Sequence, residues 1–307
     1  MPYVSMEVAR IKGWLVVNGF LHTARFEATY AHLLDAAGDL GIDLKVRTNV
    51  DLATETLLDG RSDTRRPDFV LFWDKDIGLA KRLEACGYSV FNSAHAIEVC
   101  DSKALTYLSL VGSDVAMPDT LLVPLSFEPP SWKSESFPDR AIEQLGLPLI
   151  AKESIGSFGE QVHLVDSREK LVSVLDSFGT RPAILQRFVA SSFGRDVRLQ
   201  VVGNRVVASL LRSSGGSDFR ANIVRGAFGS AFDAPESFKD MALSVCESIG
   251  LEFGGVDVLF GASGEPVFCE VNSNAQFEGI LMCCGVNVAK EILEHVASTV
   301  GKGENHA

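Results

Sequence analysis

Gly255-Val-Asp257-Val-Leu-Phe260, the short run Gly261-Ala-Ser-Gly264-Glu265, and then Pro266-Val-Phe-Cys-Glu270-Val-Asn272 decide the reading of this chain. Val256, Val258 and Phe260 alternate with Gly255, Asp257 and Leu259, which predicts a strand. Val267 to Asn272 predicts a second strand, and the residues between them have turn composition. A hairpin centred on Ser263-Gly264 sets Asp257 opposite Glu270. Asn272, two residues further on, shares that face because strand side chains alternate with period two. Facing carboxylates are destabilising unless something positive lies between them. Two carboxylates and an amide on one sheet face suit a hard cation, Mg²⁺ or Mn²⁺. The alternative is a pair of solvated acids on an edge hairpin. The apolar flanks favour a buried or cleft-lining hairpin, and with it the metal.

The 307 residues suffice for two or three compact lobes, and the composition is that of a globular protein. A net charge of −12 argues against nucleic acid or an anionic membrane as the main partner. The first ten residues lack a basic segment followed by an apolar one, so no signal peptide is expected. No apolar run is long enough to span a bilayer. Cysteines 86, 100, 246, 269, 283 and 284 show no CxxC spacing and read as reduced, so the expected compartment is the cytosol.

Strand-like runs at Gly13 to Val17, Leu44 to Val46, Phe69 to Trp73 and Tyr88 to Asn92 alternate with helical spacing over Phe26 to Leu40 and Ile77 to Cys86. This predicts a parallel α/β lobe over residues 1–100. Its strand ends carry Asn18, Trp73-Asp74-Lys75 and Asn92, where ligands gather in such sheets. A helix is expected from Asp101-Ser-Lys103 to Val111. The Ser-, Glu- and Pro-rich stretch from Ser126 to Arg140 reads as a surface excursion. A second, α+β lobe is expected over 101–190 and a third over 191–300, closed by a helix from Val288 to Val300. Residues 301–307 read as a frayed tail.

Lys152-Glu-Ser-Ile-Gly156-Ser157-Phe158-Gly159 follows a buried strand, and such a loop can wrap phosphates with Lys152 as a point charge. It is not a P-loop, because the lysine precedes the glycines. A plain glycine-rich turn is the bland alternative, made less favoured by the metal-binding hairpin. Arg195, Arg198, Arg205, Arg212, Arg220 and Arg225 crowd one stretch of an acidic chain, and alternation aims some of them inward as phosphate or carboxylate forks. Arg205, in a Gly203-Asn204 turn, reads as solvated. Asp218-Phe-Arg220-Ala221-Asn222 follows a Ser/Gly run, Ser213 to Ser217, that reads as a loop delivering polar groups.

In this order and spacing the motifs resemble those of the RimK-type ATP-grasp ligases, the α-L-glutamate ligase family. The resemblance spans roughly Asp101 to Val300. It implies an α/β and α+β architecture: the ATP-grasp fold with an N-terminal Rossmann-like (pre-ATP-grasp) lobe. By the same resemblance, Lys103 and Lys152 are the nucleotide lysines, and Gly156, Ser157 and Gly159 form the phosphate loop. Gln186, Arg187, Phe188 and Val189 form the hinge whose backbone reads adenine. Asp196, Arg220, Ala221 and Asn222 belong to the nucleotide site, and Asp257, Glu270 and Asn272 are the metal ligands. Arg198, Arg212, Arg220 or Arg225 would hold the carboxylate and its tetrahedral oxyanion. Three departures stand out: Arg187 in place of a usual Glu, Gly226-Ala227 in place of Gly-Gly, and no proline in Asn272 to Gly279. The implied reaction is ATP-dependent joining of a carboxylate and an amine through an acyl phosphate, with glutamate as a substrate, a small molecule or peptide as acceptor, and two Mg²⁺ or Mn²⁺ ions. Phosphate transfer to a hydroxyl, modification of a protein terminus and ATP sensing without turnover are the rival readings. A homo-oligomer is the expected assembly.

Overall fold

The structure, a computed structural model, describes residues 10–55, 66–156, 161–216, 218–221 and 228–303. The chain divides into two compact units: Met1–His95 with Gln276–Glu278 and Asn287–Ala307, and Ala96–Ala275 with Gly279–Val286.

The first unit begins β1 (Lys12–Val17), α1 (Ala24–Asp39), β2 (Asp43–Thr48), α2 (Asn49–Thr54), β3 (Phe69–Phe72), α3 (Ile77–Ala85) and β4 (Val90–Phe91). The strands pair in parallel in the order β2-β1-β3-β4. Phe69 to Phe72 are fully buried, as expected for a central parallel strand covered on both faces. Asp76 caps α3 by accepting from the Leu79 N–H at 2.9 Å.

The second unit continues with α4 (Ala94–Asp101), α5 (Lys103–Leu110), β5 (Thr120–Leu122), α6 (Phe137–Leu145), β6 (Leu149–Glu153), β7 (Val162–Val165), α7 (Arg168–Phe178), β8 (Ala183–Arg187), β9 (Arg195–Val202), β10 (Arg205–Ser213), β11 (Phe228–Ala231), α8 (Glu236–Ile249), β12 (Phe253–Phe260), β13 (Pro266–Asn272) and α9 (Glu278–Cys284). Among the described residues it holds two antiparallel sheets, ordered β5-β8-β6-β7 and β11-β10-β9-β12-β13. Each has one face packed on helices. Trp132, Leu145, Leu149, Ala151, Leu171 and Leu175 form the core of the first. Val197, Leu199, Val201, Val256, Val258, Phe268 and Val271 form that of the second, against Phe238, Ala242, Val245 and Ile249 of α8. The spacing of those α8 residues is helical, and Gly250 ends the helix in the left-handed region at φ 76°.

Three sequence expectations change. The stretch from Ser126 to Arg140 is not wholly a surface excursion: Trp132 is buried in the small-sheet core and α6 starts at Phe137, because the helix needs its apolar stripe covered. The helix expected to open at Asp101 opens at Lys103, because Asp101 ends α4 and Ser102 caps α5 by accepting from the Leu105 N–H at 3.3 Å. The closing helix α10 (Val288–Gly303) packs on α1 in the first unit, not with the third lobe whose sequence it follows. Phe238, 2% exposed at the centre of the α8 interface, supplies a stability test: Phe238→Ala is expected to cost about 3–5 kcal/mol in urea unfolding.

Candidate active site

The hairpin pairs Asp257 with Glu270 and Gly255 with Asn272. The turn is tighter than a centre on Ser263-Gly264 implies: Phe260 pairs with Pro266 and Val258 with Phe268. That register alone would put Cys269 opposite Asp257. A register shift between Val258 and Asp257 passes over Cys269 and brings Glu270 onto the Asp257 face. The irregularity, not the turn, therefore aligns the two carboxylates.

On the other side, Asp257 pairs with Arg198 and Gly255 with Gln200 across β9, while β10 sets Arg212 opposite Asp196, Leu210 opposite Arg198 and Ala208 opposite Gln200. Because directly opposed residues share a face, Asp196, Arg198, Gln200, Arg212, Asp257, Glu270 and Asn272 all line the sheet face away from the α8 core. Asp257 is held by both arginines. Arg198 donates from Nε and, at 2.8 Å, from an η nitrogen; Arg212 donates from an η nitrogen at 2.8 Å. Arg212 Nε also donates to Asp196 at 2.6 Å. Gly255 is required by this layout: a Cβ there would lie 2.8 Å from Arg198 Cδ and 2.6 Å from Ala275 Cβ.

Burial pushes the Asp257 carboxyl up, but the Arg198 and Arg212 guanidiniums reverse that and hold it below the usual carboxylate range. Burial raises Asp196, the pull of Arg212 only partly offsets it, and the Asp257 charge adds to the rise. Arg212 is raised well above its ordinary value, because the two carboxylates outweigh its burial.

Lys152 and Gln186 share the outer face of the small sheet, since Lys152 pairs with Ile184 and Ile150 with Gln186. Lys152 is buried, and its charge acts on Cys269, whose thiol burial pushes up to about 12. The charge of Lys152 is thus felt at Cys269, the residue before Glu270 on β13. Lys103 opens α5 with its N–H on Ser154 O at 2.8 Å and its Nζ on Gly156 O at 3.0 Å, so it is tied to the segment that follows β6, the strand that carries Lys152. Phe188 stands edge-on to Phe193 and Phe219. The Arg187 side chain turns away to Asp119 at 2.8 Å and Gln144 O at 2.8 Å, which leaves its backbone as its contribution to a hinge.

The arginines divide. Arg198 and Arg212 join the buried face. Arg220 is held by Asp218 at 3.0 Å and reaches Val162 O at 3.4 Å, beside buried Ala221. Arg195 lies over the Phe260 ring at 4.7 Å, and Arg205 is exposed. Ser157, Gly159, Asn222 and Arg225 fall outside the described residues. The sequence reading missed that Arg198 and Arg212 bind Asp257, and it missed Gln200 altogether. The period-two run Asp196, Arg198, Gln200 carried the signal.

Asp257, Glu270 and Asn272 present oxygen donors of the kind a hard divalent ion takes. The Asp257 oxygens retain lone pairs beyond those used by the guanidiniums, and Glu270 is half-buried with Asn272 Nδ2 donating to it at 3.2 Å. The donor set therefore fits such an ion.

Comparisons with known proteins place the chain in a family. The RimK-like ATP-grasp domain model matches residues 130–296. The chain belongs to the RimK-like ATP-grasp family. The Mycoplasma pneumoniae protein named uncharacterized protein MG012 homolog is 35% identical over 273 residues, covering 86% of this chain and 92% of that one. Beta-citrylglutamate synthase B of Danio rerio is 32% identical over 229 residues, 73% of this chain but 54% of that protein. A solved RimK domain ATP-grasp protein from Sphaerobacter thermophilus superposes with a TM-score of 0.68 at 20% identity, covering 94% of this chain and 99% of that one. The ATP-grasp fold with its parallel N-terminal sheet is thereby shown, and the chain is an ATP-dependent C–N ligase of a family that uses ATP and divalent ions. No helix among the described residues is long and apolar enough to cross a membrane.

The two kinds of acid on the face are separable by stability. Asp257→Asn removes the charge that compensates two buried guanidiniums and is expected to cost about 3–5 kcal/mol. Glu270→Ala, at a half-buried side chain that accepts from Asn272 Nδ2, is expected to cost under about 1 kcal/mol. Urea unfolding without nucleotide or metal compares them; equal losses would contradict the ion-pair assignment.

Proposed function

We propose that this ligase joins the amino group of glutamate to the carboxylate of a small acid or peptide through an acyl phosphate made from ATP. The observation that carries the reading is the face on which Arg198, Arg212, Asp196 and Asp257 lie beside Glu270 and Asn272, with Lys152 close by. Phosphoryl transfer asks the protein for alignment and charge neutralisation more than for covalent help.

In this reading a carboxylate oxygen attacks the γ-phosphorus, the bond to the ADP oxygen breaks, and an acyl phosphate forms. The amine nitrogen then attacks the acyl carbon, the carbon–oxygen bond to phosphate breaks, and the proton lost by the nitrogen leaves with the phosphate. Lys103 and Lys152 hold phosphate oxygens. Gln186 to Val189 receive the adenine through their backbone, and Asp196 and Ala221 flank the nucleotide. Arg198 and Arg212 carry more N–H donors than their bonds to Asp257 and Asp196 use, and the remainder face the substrate carboxylate. Arg220, braced by Asp218, adds a further positive charge. Asp257, Glu270 and Asn272 hold Mg²⁺ or Mn²⁺, which when bound neutralises phosphate charge. Arg225, Ser157, Gly159 and Asn222 keep the roles expected from the family pattern. Glutamate is suggested by the name of the beta-citrylglutamate synthase relative. All six cysteines are free thiols, which suits the cytoplasm.

Mg·ATP is expected to raise the melting temperature of the wild type and not that of Lys152→Ala. Calorimetry showing no nucleotide binding at millimolar ATP with Mg²⁺ would remove the nucleotide site. For the reaction class, the enzyme is incubated with ATP, glutamate and citrate carrying ¹⁸O in its carboxylates, citrate being the acid suggested by that relative's name. One label per turnover is expected in the released phosphate. Turnover of ATP with unlabelled phosphate would favour transfer to a hydroxyl instead.

A further inference from the structure

Gln200 takes no part in the ion-pair network, yet it sits on the same face, two residues beyond Arg198 on β9. It is 1% exposed, and its Oε1 is buried without a hydrogen-bond partner. A buried acceptor with no donor is destabilising, so such a group in a native structure calls for a physical reason, and its place on the site face supplies one.

The register shows how the space around Gln200 is shaped. Its neighbours across the ladder are Ala208 on β10 and Gly255 on β12, two of the smallest residues on the face. On the Gly255 side Ala275 packs where a side chain would go, with its Cβ 2.6 Å from that position, and an η nitrogen of Arg198 lies 3.0 Å from it. On the other side Ala208 is only half-buried. The Ala208 side of Gln200 is therefore the more open of the two.

Position along the face selects the partner. Asp196 stands at the end that follows the hinge segment, and Gln200 lies four residues further along the same strand, about 13 Å away at strand rise. Arg198, paired with Asp257, comes between them. The row of Gln200 runs through Gly255 to Asn272, where the chain leaves β13. Gln200 thus marks the end of the face remote from Asp196. An amide oxygen needs a donor. Phosphates and carboxylates only accept, so among the groups that react in the ligation the amine alone supplies N–H.

We propose that Gln200 recognises the attacking amine, its Oε1 accepting a hydrogen bond from the amine N–H and turning the nitrogen lone pair toward the acyl carbon. The inference rests on the ligase reading above and assigns the amine end of that site. No proton passes to Gln200; it orients the nucleophile.

The test compares wild type with Gln200→Leu, which keeps the side-chain bulk and removes the acceptor. Both are saturated with Mg²⁺ and a non-hydrolysable ATP analogue, then titrated with each of the twenty common amino acids while the melting temperature is followed. Three results are expected. Gln200→Leu melts no lower than wild type before ligand is added, because it loses an unsatisfied polar group. The shift caused by the ATP analogue is the same in both. The shift caused by the recognised amino acid needs at least about tenfold more ligand in Gln200→Leu, the scale of a lost hydrogen bond in a buried site. A drop of several degrees in the ligand-free melting temperature would make Gln200 a structural residue and overturn the proposal. So would equal amino-acid titrations, or a wild type that responds to none of the twenty. A wild type that responds to an amino acid other than glutamate, with the response lost in Gln200→Leu, would support Gln200 and remove only the glutamate reading.

Discussion

Asp257 between Arg198 and Arg212 is the interaction on which the site depends. A carboxylate this deeply buried persists only with its charge matched, and here two guanidiniums from neighbouring strands match it. The cost of taking these charges out of water falls on the fold, and the α8 core on the opposite face of the sheet offsets it. The arrangement also locks geometry. Arg212 spans Asp196 and Asp257, so sliding β10 against β9 or β9 against β12 would break a buried ion pair. Register across the central strands is thus fixed by charge on one face and by apolar packing on the other.

Much of this was legible in the sequence because strand alternation is a local property. Asp257, Glu270 and Asn272 could be placed on one face from spacing alone, although the pairing is reached through an irregularity at Cys269 that no turn composition announces. The parallel lobe was legible because its buried strands are continuous apolar runs between helical segments. Helix α8 had the spacing to be found, with Phe238, Met241, Ala242, Val245 and Ile249 on one stripe, and was passed over. Which unit receives α10 was not legible, because chain order says nothing about which apolar face a helix will cover.

The partners of the arginines were illegible for a related reason. Six arginines in one stretch announce anion binding, but whether each meets a ligand or a carboxylate of its own chain depends on cross-strand neighbours far away in sequence. Arg198 and Asp257 are 59 residues apart, and only the β9–β12 pairing joins them. Arg195 differs from Arg198 by three positions, which places it on the other side of the strand, where it covers Phe260.

The face is graded along its length, and the grading follows from which residues β9 presents in turn. Asp196 is an acid whose ionisation is resisted by burial, Arg198 is a cation neutralised by Asp257, and Gln200 is neutral. The two guanidiniums thereby lie in the Asp196 row and the middle row of the face, and the row of Gln200, Gly255 and Asn272 carries no charged side chain of its own. A substrate with opposing ends, one rich in phosphate or carboxylate oxygens and one bearing N–H, has only one favourable direction along such a strand. Its anionic part goes to the arginines, where the guanidiniums retain donors, and its N–H end goes to Gln200, whose Oε1 lacks a donor. The strand that holds the fold's buried ion pairs therefore also sets the polarity of anything bound along it.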